Sequence, residues 1–177
     1  MSASDEQLML AYAGGDAAAF ETLYGRHKGS LYRFVLRSVK AQGEAEEIFQ
    51  DVWMRAIEAR GRYRPTAKFT TWLYTIAHNL LTDHWRRKGL TLVELDEDTQ
   101  AAAPDDPARS MEARQALSRF AAALEALPPL QRQAFLLHEE GGLSIAEIAA
   151  ATGSNEEAAK SRLRYAMAKL KAVVADG

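Results

Sequence analysis

The helical pattern of this chain stops between residues 90 and 110. Residues 91–110 carry six acidic side chains and one basic side chain, a net charge of −5, and include the prolines Pro104 and Pro107. Proline and clustered like charges disfavour both a continuous helix and a packed core. Apolar residues recur with helical spacing on both sides of this segment. We therefore predict two helical domains, residues 1–89 and 111–177, joined by a flexible acidic linker over residues 90–110.

The composition predicts an all-α fold. The chain has 33 Ala and 20 Leu but only 11 Val and Ile together, and Ala and Leu favour helices whereas β-branched residues favour strands. The absence of cysteine excludes a disulfide scaffold and fits a reducing compartment. No apolar run approaches the roughly 20 residues of a membrane span, and the acidic N-terminus is unlike a signal peptide. We expect a cytoplasmic protein that does not insert into a membrane.

Two amphipathic helices are predicted early in the first domain. Asp16 can cap the first, which extends past Leu36 and is either continuous or broken near Gly25 and Gly29. The second covers residues 44–59, with its apolar residues inward and an acidic face toward solvent. A basic loop follows over residues 60–68.

The most regular apolar pattern begins at residue 69. Apolar side chains recur at i, i+3, i+4, i+7, i+8, i+11 and i+12, which indicates one buried helical stripe. The stripe consists of Phe69, Trp72, Leu73, Ile76, Ala77, Leu80 and Leu81. Tyr74 and Asn79 lie off this stripe, so we expect them to face outward. The helix ends in basic residues that suit a helix C-terminus and can also meet a phosphate backbone.

The second domain contains a predicted helix-turn-helix. Pro128 and Pro129 separate two helices, over residues 111–127 and 130–140. Ser144 and Glu147 form a capping box at the start of a short helix, and Gly153 provides the turn to a longer one that runs to about residue 174. The stripe expected to be buried on the longer helix is Ala159, Leu163, Ala166, Met167 and Leu170, which leaves Glu157, Lys160, Ser161, Arg164 and Lys171 facing outward. That outer face is predicted to meet a DNA major groove.

Four segments in this order resemble bacterial RNA polymerase sigma factors of the extracytoplasmic-function (ECF) branch. Residues 44–53 (EAEEIFQDVW) resemble the segment that binds the clamp helices of core polymerase. Residues 69–79 (FTTWLYTIAHN) are similar to the promoter-melting segment, and residues 83–87 (DHWRR) to the basic end that follows it. Residues 127–132 (LPPLQR), 142–144 (GLS) and 160–163 (KSRL) resemble the fourth region, which reads the upstream promoter element.

The resemblance implies three sets of functional residues. Core polymerase would be bound by Glu46, Glu47, Gln50, Asp51 and Trp53. The downstream promoter element would be contacted by Arg64, Lys68, Thr71, Trp72, Tyr74, Asn79, Arg86 and Arg87. The upstream element would be contacted by Ser144, Glu157, Lys160, Ser161, Arg162 and Arg164. The partners implied are core RNA polymerase, promoter DNA and an anti-sigma factor, with no cofactor and no catalytic activity of the chain itself.

One segment departs from the family's usual pattern. Glu156, Glu157, Ala158 and Ala159 stand where the family often has small or β-branched residues. Glu157 can accept a hydrogen bond from cytosine N4, or it can interact with the helix dipole and take part in capping. We favour the structural role.

Other interpretations remain at this stage. The basic segments and the acidic face are also compatible with ordinary solvated charge. A helix-turn-helix regulator that does not bind core polymerase accounts for the second domain but leaves the first without a role. A helical metal-dependent enzyme using His78, Asp83 and His84 is disfavoured, because histidines six residues apart project from different faces of a helix.

Overall fold

The computed structural model describes residues 2–91, 95–96 and 113–175, and all of the regular structure in these ranges is helical. The α-helices are α1 (Asp5–Ala13), α2 (Ala17–Val39), α3 (Gln42–Glu58), α4 (Phe69–Arg87), α5 (Ala113–Ala126), α6 (Pro129–Glu139), α7 (Ile145–Thr152) and α8 (Glu156–Ala175), with a 3₁₀ turn at Arg60–Arg62. The all-α prediction is confirmed.

Helix α2 is one continuous helix. The Asp16 carboxylate caps its start, because Oδ1 accepts hydrogen bonds from the backbone N–H groups of residues 18 and 19 at 3.1 and 3.3 Å. Glycine inside a helix costs about 1 kcal/mol relative to alanine. Leu23, Leu31 and Phe34 are fully buried along the same helix, and burying such side chains contributes about 1.5–3 kcal/mol each. Packing therefore outweighs the two glycines in its middle.

Helix α1 was not predicted, although a local signal for it is present. Ser4 and Gln7 form a reciprocal capping box, with Ser4 Oγ accepting from the Gln7 N–H at 3.2 Å and Gln7 Oε1 accepting from the Ser4 N–H at 2.9 Å. The same helix supplies Glu6, whose Oε2 accepts a hydrogen bond from the Phe69 N–H at 3.2 Å. A carboxylate at a helix N-terminus is stabilising, so α1 fixes the start of α4.

The apolar stripe of α4 packs largely as predicted, but Tyr74 does not face outward. Phe69, Leu73, Ala77, Leu80 and Leu81 are buried, whereas Trp72 and Ile76 are half-buried. The prediction that Tyr74 lies off the buried surface is wrong, because this side chain is 1% exposed.

Tyr74 is buried between α2 and the second half of the chain. Its ring packs edge-on against Phe34 with centroids 5.2 Å apart, and the turn between α6 and α7 approaches it closely. A Cβ at Gly141 would lie 2.7 Å from the Leu137 carbonyl oxygen, 2.9 Å from a Leu143 methyl and 3.3 Å from the Tyr74 ring. Glycine at position 141 permits this approach.

The predicted helix-turn-helix is confirmed in its local details. Ser144 Oγ accepts from the Glu147 N–H at 3.2 Å, and Glu147 Oε1 accepts from the Ser144 N–H at 3.0 Å. Hydrogen bonding to Ser144 lowers the pKa of Glu147 below its ordinary value, which keeps the cap ionised. Gly153 ends α7 in the left-handed conformation, and Asn155 Oδ1 accepts from the backbone N–H of residue 158 at the start of α8.

The two halves of the chain pack directly on each other, α2 and α4 against α6 and α7. Polar contacts also cross this boundary. They join Arg33 and Arg37 to Glu140, Arg132 to the Ser38 carbonyl, His78 to Gln133, and Lys68 to Glu147. The two halves are therefore in direct contact in this arrangement. Most of the flexible linker predicted over residues 90–110 lies outside the described residues, although Leu95 is buried.

Candidate functional surfaces

The acidic face of α3, comprising Glu46, Glu47, Gln50 and Asp51, is exposed as predicted. The opposite side of the helix is buried through Ala45, Ile48, Val52 and Ala56. These carboxylates are therefore free of any role in the core and are available to a cationic partner surface. Trp53 differs from the others because its side chain is only 5% exposed, so its indole packs in the core and is not part of the exposed face.

Two exposed apolar side chains accompany the acidic face, and the sequence analysis missed both. Met54 is 53% exposed and Tyr24 is 36% exposed. Met54 follows Glu47 by seven residues, which places both on one side of α3. The Tyr24 ring lies 5.1 Å from the ring of Trp53. The i, i+4, i+7 spacing of Glu47, Asp51 and Met54 was the available signal.

The basic loop before α4 is held from both sides. The Arg60 guanidinium lies 5.6 Å from the centroid of the Tyr12 ring on α1 and donates a hydrogen bond to the residue 57 carbonyl. Arg64 and Lys68 are exposed. Lys68 Nζ lies 3.4 Å from a carboxylate oxygen of Glu147 on α7. Arg64 is thus open to solvent, whereas Lys68 is in contact with the second half of the chain.

The residues predicted along α4 fall into two groups. Asn79, Arg86 and Arg87 are exposed, and Trp72 is half-buried beside Tyr63, with ring centroids 5.2 Å apart. Thr71 and Tyr74 are buried, at 6% and 1% exposure. The surface available on α4 in this arrangement therefore lies at Asn79 and the basic C-terminal end.

His78 connects α4 to the second half of the chain. Its Nδ1 lies 2.7 Å from Gln133 Oε1 on α6. Burial lowers the pKa of His78 below its ordinary value, and the positive charges of Arg162 and Arg86 lower it further, while the bond to Gln133 acts in the opposite direction. The neutral imidazole is thus the form that suits the packed arrangement.

This burial predicts acid sensitivity. A histidine with a lowered pKa in the folded state binds its proton less readily than in the unfolded chain, so its full contribution to stability is present above a pH of about 6.5 and is lost as the pH falls through the folded pKa. In urea unfolding between pH 7.5 and 5, we expect stability to fall more steeply for the wild type than for His78→Gln. Equal slopes for wild type and His78→Gln would contradict the prediction.

The outer face of α8 presents the residues expected to read DNA. Glu157, Lys160 and Arg164 are exposed, Ser161 is half-buried, and the Arg164 guanidinium lies 5.5 Å from the Tyr165 ring centroid. Ala159, Ala166 and Leu170 are buried as predicted, with Leu163 and Met167 half-buried. The Ser144 hydroxyl, at the start of α7, is engaged in its capping box.

Arg162 is placed differently from its neighbours on α8. Its guanidinium donates two hydrogen bonds to the carboxylate of Asp96, from Nε to Oδ1 at 2.9 Å and from Nη2 to Oδ2 at 3.0 Å. The Arg162 side chain is only 16% exposed. Arg162, which was expected to contact DNA, is thus paired with a carboxylate from the segment between the two halves.

Within residues 2–91, 95–96 and 113–175, no group of three or more His, Asp or Glu side chains is arranged to hold a metal ion. In particular, His84 Nε2 lies 3.4 Å from Glu44, and Lys88 Nζ lies 2.7 Å from the same carboxylate. His84 thus lies beside the ion pair that Glu44 of α3 forms with Lys88 at the C-terminal end of α4.

Comparison with known protein families assigns both halves of the chain. The Sigma-70 region 2 family matches residues 23–91, and the Sigma-70 region 4 family matches residues 117–170. Both halves of this two-domain fold are therefore those of a sigma-70-type transcription initiation factor.

Individual relatives narrow the assignment. The chain is 34% identical to the RNA polymerase sigma factor CarQ of Myxococcus xanthus, over 93% of this chain and 94% of CarQ. It is 32% identical to the ECF RNA polymerase sigma factor SigM of Mycobacterium tuberculosis, over 94% of this chain and 83% of SigM. Among solved structures, CnrH in complex with the cytosolic domain of CnrY is similar over 97% of both chains, with a TM-score of 0.71 and 26% identity. The chain belongs to the ECF sigma factors of the sigma-70 family.

Membership of this family establishes the function and excludes the alternatives. The chain is a sigma factor, which binds core RNA polymerase and promoter DNA and supports promoter recognition and transcription initiation. It is not an enzyme, and a helix-turn-helix regulator independent of polymerase does not account for the region 2 match. Among the helices of the described ranges, none has the length and apolar character needed to span a membrane.

Proposed function

We propose that the two halves of this sigma factor divide promoter selection between them. Residues 1–89 bind core polymerase through α3 and contact the downstream element through the basic loop and α4. Residues 111–177 read the upstream element through α8, and residues 90–110 connect them. The observation that carries the proposal is the division of exposed charge, with an acidic face on α3 and basic residues on the outer faces of α4 and α8.

The polymerase contact is proposed for Glu46, Glu47, Gln50 and Asp51. Their side chains are exposed on one face of a helix whose other face is fully used in the core. Complementary charge at an interface accelerates association and sets the register of docking. Trp53 supports this surface from beneath, since it is buried against α2 through the Tyr24 and Phe20 rings.

The downstream contact is proposed for the basic loop and one side of α4. Arg64, Asn79, Arg86 and Arg87 are exposed and can meet DNA in the arrangement described, together with the half-buried Trp72. Aromatic side chains compensate for lost base stacking when a strand is opened. The contact proposed for Tyr74 requires the turn containing Gly141 to move away, because that turn packs against the buried ring. Thr71 is also buried, whereas Lys68 pairs with Glu147 but keeps a side chain that is 70% exposed.

The upstream contact is proposed for α8 with Ser144 at the start of α7. Lys160 and Arg164 lie one helical turn apart on the exposed face, and Lys160 is nearer the N-terminus of α8, the part of a recognition helix that reaches base edges. Ser161, Arg162 and Ser144 are proposed to contact the phosphate backbone. Glu157, in the first turn, is proposed to act through the helix dipole.

Selection of upstream elements from a randomised library tests this assignment. With holoenzyme carrying Lys160→Ala, we expect specificity to relax at one base position by about 1–3 kcal/mol. With Arg164→Ala, we expect uniformly weaker binding and a salt slope lowered by about one. Lys28→Ala, which removes one positive charge from an exposed position of α2, is the control and should select the wild-type element. If the Lys160 and Arg164 variants select that element with wild-type strength, α8 does not read DNA.

We further propose that the protein acts in the cytoplasm, where core polymerase and the promoters are found, and that an anti-sigma factor regulates it. The support for a regulatory partner is the likeness to CnrH along the whole chain, since CnrH was solved bound to the cytosolic domain of a second protein.

A further inference from the structure

The ion pair between Asp96 and Arg162 joins two segments that have separate roles in the proposed function. Arg162 belongs to α8, the helix proposed to read the upstream element, and Asp96 lies in the segment between the two halves, 66 residues earlier. The pair is bidentate, with parallel N–H···O contacts of 2.9 and 3.0 Å. A guanidinium uses the same fork to bind a phosphate.

The carboxylate sits in an open concavity on α8 and is anchored from one side. The concavity is lined by Asp96, Gln131, Ala158, Ser161, Arg162 and Tyr165. Leu95, immediately before the carboxylate, is 1% exposed and fixes the backbone there. The Asp96 side chain is itself 42% exposed, so it is held in place by its neighbour while remaining accessible to a competitor.

The charges around this position favour an anion. Burial lowers the pKa of His78, and the positive charges of Arg162 and Arg86 lower it further. Asp96 supplies the compensating negative charge to Arg162. Its two oxygens accept from the guanidinium fork, as two non-bridging oxygens of a DNA phosphate can.

We propose that Asp96 is an internal substitute for a backbone phosphate of the upstream element, and that it must leave Arg162 before this arginine can bind DNA. The inference rests on the proposed function, because it takes α8 as the helix that meets DNA. It assigns to Asp96 a regulatory role at that surface. The apparent affinity of the free chain for DNA is reduced by the fraction of molecules in which the carboxylate occupies the site.

The test compares DNA binding by charge-matched variants of the full chain. Since a phosphate contact is independent of sequence, the probe is a random-sequence DNA duplex of about 30 base pairs at low salt, followed by fluorescence anisotropy. Exposed ion pairs contribute modest free energies, so we expect Asp96→Asn to bind about three- to tenfold more tightly than the wild type. Glu21→Gln removes the same charge from an exposed position on α2, for which no DNA contact is proposed, and controls for net charge.

The second part of the test is a double-mutant cycle. In an Arg162→Ala background, the gain from Asp96→Asn should disappear, because the site it releases is gone. A gain no larger than that of Glu21→Gln, or a gain that persists without Arg162, would overturn the proposal.

A failure of the proposed function itself gives a different pattern. If Lys160→Ala and Arg164→Ala weaken binding of the same probe while Asp96→Asn has no effect, only the role of Asp96 is refuted. If none of these substitutions changes binding, α8 does not meet DNA and both proposals fail.

Discussion

Reversing the charges of Glu47 and Asp51 together is expected to weaken binding to core RNA polymerase by about 10- to 100-fold, equivalent to about 1.4–2.8 kcal/mol. Both carboxylates are exposed and lie one turn apart on α3, while Ala45, Ile48 and Val52 occupy the opposite, buried face. The substitution Glu47→Lys with Asp51→Lys therefore places two positive charges on the proposed interface without altering the core. Binding is measured by titration of labelled sigma factor with core polymerase.

The control for this variant has the same change in net charge elsewhere. Glu21→Lys with Glu139→Lys replaces exposed carboxylates on α2 and α6 and should bind core polymerase like the wild type. Helicity and urea stability should be unchanged in both variants, because surface substitutions usually alter stability by less than about 0.5 kcal/mol. The difference between wild type and variant should also shrink as salt is added. If the variant binds like the wild type, the acidic face is only solvated.

Replacing Arg132 by Met is expected to reduce the free energy of unfolding by about 2–4 kcal/mol. This arginine is 5% exposed, and its guanidinium donates to the carbonyls of Glu125 at 3.0 Å, Leu127 at 3.3 Å and Ser38 at 3.0 Å. Burial lowers the pKa of Arg132 to about 10, so it remains charged at neutral pH. The Glu125 carbonyl also accepts from Lys40 Nζ at 2.7 Å and keeps a donor in the variant, whereas the Leu127 and Ser38 carbonyls lose the bond from Arg132. Each buried acceptor left without a donor costs about 1–3 kcal/mol.

The position of Arg132 explains why its effect should extend beyond its own half of the chain. The Ser38 carbonyl lies in the last turn of α2, where a cation complements the helix dipole. The other two carbonyls precede α6, so one side chain ties both halves together. Arg132→Lys retains the charge but loses the planar fork, and should fall between wild type and Met. Arg55→Met, at an exposed position of α3, is the control, and equal stability of the two Met variants would contradict the prediction.

Features determined by neighbouring residues were predictable from the sequence. The caps at Asp16 and Ser144 and the left-handed turn at Gly153 depend on side chains within three or four positions of each other, and all three occur as expected. Helix α1 depends on an equally local capping box at Ser4 and was missed, since only the acidic character of that segment was considered.

Features determined by distant segments were not predictable in the same way. Tyr74 lies off the apolar stripe of α4, and it is buried by the Phe34 ring of α2 together with the turn containing Gly141. The resemblance to the family's fourth region likewise implied a DNA contact for Arg162, and nothing local indicates that Asp96 pairs with it. A helical pattern identifies which face is apolar, but the partner of a polar side chain depends on how the two halves pack.

The candidate surfaces show the same division. The exposure of Glu46, Glu47 and Asp51 followed directly from the apolar residues between them. Met54 lies on the same face of α3, one turn beyond Asp51, so its exposure could be predicted by extending that face. The burial of Trp53 reflects an aromatic cluster contributed largely by α2.

Transcription reconstituted from purified core polymerase and this chain tests the central claim most directly. Run-off reactions on a library of genomic promoter fragments are compared with and without the chain, and with the Glu47→Lys, Asp51→Lys variant. The account predicts discrete transcripts from a subset of fragments that appear only when the wild-type chain is added and are strongly reduced with the variant. The same transcripts from core polymerase alone, or none with the wild-type chain on any fragment, would contradict it.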